Sequence, residues 1–113
     1  AFTFVKACCR AAASDNFGQA LAISGNSVII GASGNSDAGA VSGSAYIRQY
    51  NPVTGVWDET KLTASDAAAG DRFGIDVAIS GTTAVVGAYF NDDTATDTGS
   101  IYVYRYNNAT NLW

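Results

Sequence analysis

The chain alternates apolar and polar positions in short runs that glycine-rich turns separate. Alternation with a period of two is typical of β-strands that bury one face. No window shows the 3.6-residue period of an amphipathic helix. Gly25-Asn26, between the first two runs, is a pair that favours a tight hairpin turn. The pattern predicts an all-β chain of antiparallel strands, with the runs ALAIS, SVIIGAS, SAYIRQY, VWDETKLTA and IYVYRY as its strands.

This pattern occurs twice, at a spacing of 56 residues. When each residue is compared with the one 56 positions later, 21 of 57 pairs are identical, and all of them lie beyond residue 10. A fixed repeat of this length indicates a repeat architecture, and a unit of about four short antiparallel strands is typical of a β-propeller blade. The sequence therefore predicts antiparallel four-stranded propeller blades at residues 11–66 and 67–113, the second lacking its last strand.

Composition and charge narrow the possible partners. The chain has 113 residues, 48% hydrophobic and 14% charged, which is typical of one folded domain and not of a disordered segment. A net charge of −4 without a basic stripe argues against nucleic acid. No apolar run approaches the roughly 18 residues of a membrane span. Residues 1–56 carry a charge of +1 and residues 57–113 carry −5, which favours contact between unlike halves of two molecules.

Two dipeptides recur at the same places in both repeats: Phe17-Gly18 with Gly31-Ala32, and Phe73-Gly74 with Gly87-Ala88. These residues resemble the FG-GAP repeat of integrin-type β-propellers and their secreted microbial relatives. The resemblance covers nearly the whole chain from Asp15 onward. The proline that follows Gly-Ala in the family is absent, with Ser33 and Tyr89 in its place. The resemblance implies propeller blades in an extracellular, non-enzymatic module.

Two blades are too few for a propeller ring of roughly four to eight. We therefore expect the chain either to associate with copies of itself or to be a piece of a larger protein. Under the 56-residue offset, the N-terminal residues take the place of the first blade's last strand, and the second blade stops at Trp113 before its own. We expect residues 1–10 to complete a neighbouring copy's blade by β-strand addition, through Phe2, Thr3, Phe4, Val5, Lys6 and Ala7. The alternative is that these residues pack under their own first blade.

The loop NDDTATD is a candidate calcium site. It contains the hard oxygen ligands that Ca²⁺ prefers, on Asn91, Asp92, Asp93 and Asp97. Integrin-type FG-GAP repeats often bind calcium in the loop between the second and third strands, so the resemblance implies calcium here. The family's alternating acids followed by glycine are missing, which favours a solvated turn with capping carboxylates. No other cofactor is predicted.

Cys8 and Cys9 are adjacent and are the only cysteines. Successive strand residues point to opposite faces, so no ordinary intrachain disulfide is available. Three states stay open: a strained vicinal disulfide, a bond between copies, and two buried thiols. The chain has no histidine, which excludes a Cys–His nucleophile and a Cys/His zinc site.

Asn108-Ala109-Thr110 fits the N-glycosylation pattern, in a turn from which a sugar would project. The function predicted from these features is a non-enzymatic, extracellular structural or adhesive module. Its main partner is a copy of itself, and the product is a filament or a closed ring. The alternative is a ligand-binding fragment of a larger β-propeller that binds glycans or cell-surface proteins, with or without calcium.

Overall fold

The computed structural model describes residues 14–37, 39–88, 90–91 and 99–113. Across these residues the chain forms seven β-strands and no helix. The strands are β1 (Ala20–Ser24), β2 (Ser27–Ala32), β3 (Ser44–Asn51), β4 (Val56–Leu62), β5 (Asp76–Ser80), β6 (Thr83–Ala88) and β7 (Ser100–Arg105). They pair antiparallel in two sheets, ordered β1-β2-β3-β4 and β5-β6-β7. The predicted all-β fold of antiparallel sheets is confirmed.

The first hairpin of each sheet has the same tight turn. Gly25 has a φ of 54° between β1 and β2, and Gly81 has a φ of 56° between β5 and β6. A two-residue hairpin turn needs a positive φ at its first central position, and glycine adopts it without a Cβ clash. The hairpin predicted at Gly25-Asn26 is therefore confirmed.

The two sheets follow the sequence repeat strand for strand. Each of β5, β6 and β7 begins 56 residues after its counterpart in β1, β2 or β3. The sheets differ at the fourth strand, because β4 pairs along β3, whereas no strand in the described ranges pairs with the outer edge of β7. Only an isolated bridge between Asn107 and Leu112 is present there. It corresponds to the pair Asn51 and Val56, where the β3–β4 ladder begins.

Each sheet has two faces, which we name from the cross-strand pairs. The front face of the first sheet carries Leu21, Ile30 and Tyr46, which lie opposite one another, and the back face carries Ala22, Ile29 and Ile47. The front face of the second sheet carries the residues 56 positions later, such as Val77, Val86 and Tyr102. The main core forms where the second sheet's front face packs on the first sheet's back face. The two sheets thus stack front to back.

Candidate assembly interface

Glycine lets the two sheets approach closely. Gly31, on the back face of β2, lies so near Gly74 that a Cβ at Gly31 would be 2.1 Å from the Gly74 carbonyl oxygen. A Cβ at Gly74 would in turn be 2.2 Å from the Ser44 carbonyl oxygen. Beside this contact the Phe73 N–H donates to the Ser42 carbonyl, with an N···O distance of 2.8 Å. A side chain at either glycine would force the sheets apart.

Hydrogen bonds also join the two repeats. The Gly81 N–H donates to Ser24 Oγ at 2.9 Å, which links the two hairpin turns. The Tyr104 hydroxyl donates to the Thr63 carbonyl oxygen at 3.2 Å. Burial raises the pKa of Tyr104, and the nearby Asp66 carboxylate raises it further. Polar contacts therefore fix the alignment of the sheets, whose apolar faces supply most of the buried surface.

A buried polar network holds the β2–β3 loop to the segment before β1. Asn35 Nδ2 donates to Asp15 Oδ2 at 2.9 Å, and Ser44 Oγ donates to Asn35 Oδ1 at 2.7 Å. All three residues are buried. A buried polar group without a partner is costly, so such a network strongly favours one loop conformation.

The second repeat contains the same network. Asn91 Nδ2 donates to Asp71 Oδ2 at 3.2 Å, and Ser100 Oγ donates to Asn91 Oδ1 at 2.9 Å. Asp71 Oδ2 also accepts the Ala68 N–H at 3.0 Å. Sequence reasoning missed both networks, although each member is identical to its counterpart 56 residues away. That identity at polar positions was the signal that could have found them.

Aromatic pairs recur with nearly the same geometry. The ring centroids of Phe17 and Tyr46 are 5.3 Å apart, and those of Phe73 and Tyr102 are 5.1 Å apart, both edge to face. The environments differ, because Phe73 is fully buried between the sheets, whereas Phe17 is half-buried on the first sheet's front face. The same ring pair thus serves a covered face in one repeat and an uncovered face in the other.

The front face of the first sheet forms an apolar groove. Its volume is about 420 Å³. Its lining includes Phe17, Leu21, Val28, Ile30, Arg48 and Trp57. Within the described part of the chain nothing covers Leu21 and Ile23, which are 64% and 71% exposed. Their counterparts Val77 and Ile79 pack against the main core.

The back face of the second sheet is the other open apolar surface. Ile101 and Val103 on β7 are 73% and 55% exposed. Their counterparts on β3, Ala45 and Ile47, are fully buried in the main core. The molecule therefore has an open front face at one end of the stack and an open back face at the other.

The predicted strand-addition residues Phe2, Thr3, Phe4, Val5, Lys6 and Ala7 lie outside the described residues, as do Cys8 and Cys9. Asn108 is exposed in the turn after β7, where a glycan would be accessible.

The calcium prediction is only partly within the described residues. Asp92, Asp93 and Asp97 lie outside them, while Asn91 is buried and bonded to Asp71 and Ser100. Calcium binding by the loop therefore stays a prediction. Where the structure is described, no three Asp, Glu, Cys or His side chains are grouped as a metal site. The described residues also contain no helix that is both long enough and apolar enough to cross a membrane.

Comparison with known proteins supports the repeat. No curated protein matches the chain significantly. A family model described as the FG-GAP repeat matches residues 11–48 and, a second time, residues 57–104. The two matches cover more than half of the chain and contain both Phe-Gly and Gly-Ala dipeptides. The chain therefore belongs to the FG-GAP repeat family, whose repeats form the blades of β-propellers.

Proposed function

We propose that this chain is a non-enzymatic, extracellular structural module that assembles head to tail with copies of itself by β-strand addition. The observation that carries the proposal is the difference between two equivalent strands. β3 has β4 along its outer edge, whereas its counterpart β7 has no strand there among the described residues. An open edge presents unpaired N–H and C=O groups, which are a template for a further strand.

Residues 2–7 are the strand we propose for this edge, donated by a neighbouring copy. The β3–β4 ladder pairs Ile47 with Thr60, and the 56-residue offset turns that pair into Val103 with Phe4. In this register Phe2 and Phe4 lie on the same face as Ile101 and Val103. The added strand would thus extend the open apolar back face of the second sheet, and four strands would complete the blade.

The extent of the family repeat supports the same arrangement. Its second match begins at residue 57, within β4, and ends within β7. β4 belongs to the first sheet, so the matched unit begins with the outer strand of the preceding blade. Residues 2–7 precede the first repeat in the same way that β4 precedes the second. They are therefore the natural donor for a blade that precedes the first.

The extracellular location rests on the family resemblance. Assembly through repeated head-to-tail contacts yields a filament, or a ring when the rotation between copies closes. Three copies would supply six blades, within the roughly four to eight of known propellers. A structural or adhesive role follows from either product.

The test compares the 113-residue chain with a variant that lacks residues 1–7. Native mass spectrometry and sedimentation velocity should show multimers for the full chain and monomers for the deletion variant. A synthetic AFTFVKA peptide should then bind the variant one to one and raise its melting temperature, because a ligand that binds only the folded state stabilises it. A scrambled peptide of the same composition is the control. Unchanged assembly of the deletion variant, or a peptide that does not bind, would contradict strand addition.

A further inference from the structure

We propose that the open front face of the first sheet docks on the open back face of the second sheet in another copy, repeating the contact between the two sheets of one chain. This inference rests on the proposed head-to-tail assembly and names the surface that accompanies the added strand. A face of this kind has a defined partner here, because the chain already contains one example of a front face on a back face. The second copy would occupy the groove at Phe17, Leu21 and Trp57.

The glycines give the first argument. Gly31 and Gly74 meet at the covered interface, where a Cβ on either would strike a backbone oxygen at 2.1 Å or 2.2 Å. Their counterparts are Gly87 and Gly18. A Cβ at Gly18 would meet nothing within 4 Å, and one at Gly87 would be 3.7 Å from its nearest neighbour, the Asp76 carbonyl oxygen.

Gly87 is informative because nothing in its own sheet requires glycine. It lies inside β6 and is not among the glycines with a positive φ. Glycine in a strand interior is less stable than alanine by roughly 0.5–1 kcal/mol. Docking of a second copy would bring the carbonyl oxygen of that copy's Gly18 to Gly87, as the carbonyl of Gly74 approaches Gly31. The close approach would then explain the glycine.

The tryptophans give the second argument. Trp113 packs against the main core and borders a cleft with Gln49 and Asp58 of the first sheet. Its counterpart Trp57 has the same tilted partner geometry, with centroids 5.4 Å from Tyr50, as Trp113 has with Tyr106. Trp57, however, lines the open groove. Large aromatic side chains in such grooves are frequent anchors of protein interfaces.

Hydrogen bonding and charge agree with the same contact. Ser24 and Gly81 join the two hairpin turns within the chain, and the identical residues Ser80 and Gly25 are available at the open ends. The halves of the chain carry +1 and −5, so head-to-tail contact places unlike halves together, while contact between two C-terminal halves is repulsive. Charge therefore favours the heterologous contact over a symmetric one.

The test uses two variants that leave the interior of one chain intact. Gly87→Ala should raise the dissociation constant between copies at least about tenfold, because overpacking against a backbone oxygen costs more than that factor requires. Its melting temperature under monomeric conditions should be equal or higher. Trp57→Ala should weaken assembly by a similar factor. Val53→Ser, in the exposed turn between β3 and β4, is the matched control and should assemble like the unchanged chain.

The outcomes separate this inference from the proposed function. Assembly that is lost on deletion of residues 1–7 but unchanged in Gly87→Ala and Trp57→Ala would overturn the face contact and leave strand addition intact. Assembly that weakens in both point variants but survives the deletion would support the face contact and overturn strand addition. A full chain that stays monomeric would overturn both, and would leave the two faces to blades of a different chain.

Discussion

The two repeats share nearly the same internal construction and differ in what covers them. Both have the Asp–Asn–Ser network, the glycine hairpin and the edge-to-face Phe–Tyr pair. In the second repeat the front face is buried on its neighbour, whereas in the first repeat it is open. Features that recur in both environments serve the blade itself. Features that contact something in only one repeat, such as Gly31 compared with Gly87, belong to the contact between blades.

The largest difference is expected at the paired phenylalanines. Phe73→Ala removes a fully buried ring from the main core, which should lower the free energy of unfolding by about 3–5 kcal/mol. Phe17→Ala removes a half-buried ring from the open face and should cost clearly less. Urea unfolding of the two variants under monomeric conditions measures both values. Equal losses would contradict the assignment of covered and open faces.

The paired glycines should change stability in opposite directions. Gly31→Ala places a Cβ 2.1 Å from the Gly74 carbonyl oxygen, and such overpacking typically costs about 1–3 kcal/mol. Gly87→Ala meets no such atom and should gain up to about 1 kcal/mol, because alanine is less flexible than glycine in the unfolded chain. Thermal unfolding under monomeric conditions gives both signs. A stability loss at Gly87 matching that at Gly31 would refute the proposed difference.

The polar networks should behave alike in the two repeats. Asp15→Ala and Asp71→Ala each leave a buried asparagine amide without its carboxylate partner, at a cost of about 1–3 kcal/mol. Ser36→Ala, in an exposed part of the first loop, is a control that should have little effect. Chemical unfolding tests the set. A large loss at one aspartate and none at the other would show that the networks are not equivalent.

The smallest effect concerns an exposed ion pair of the first repeat, between Asp37 and Lys61. The hydrogen bond from Lys61 lowers the pKa of Asp37, with a further contribution from Asn35. A lowered pKa in the folded state gives stability that is present above the ordinary value of about 3.9 and is lost as the pH falls through the lowered one. Asp37→Asn should therefore reduce the stability lost between pH 6 and pH 3. An unchanged loss would show that the pair contributes nothing.

Strands, turns and the repeat could be predicted because their signals are local. Alternating side chains and a Gly-Asn turn determine β1 and β2 without reference to the rest of the molecule. The main core could not be assigned, because Gly31 and Gly87 are the same in sequence and differ only in which sheet lies over them. Asn91 was grouped with a calcium loop for a related reason. Its burial depends on the approach of Asp71 from 20 residues away.

The central claim is that one end of the molecule binds the other end of the next. Ile23→Glu blocks the open front face and Ile101→Glu blocks the open back face, at residues that are 71% and 73% exposed, so neither should unfold the chain. Each variant alone should be monomeric in sedimentation velocity, because one of its two faces is blocked. An equimolar mixture should give a one-to-one dimer, joined through the two intact faces. Variants that stay monomeric when mixed, or that assemble alone like the unchanged chain, would contradict head-to-tail docking of the blades.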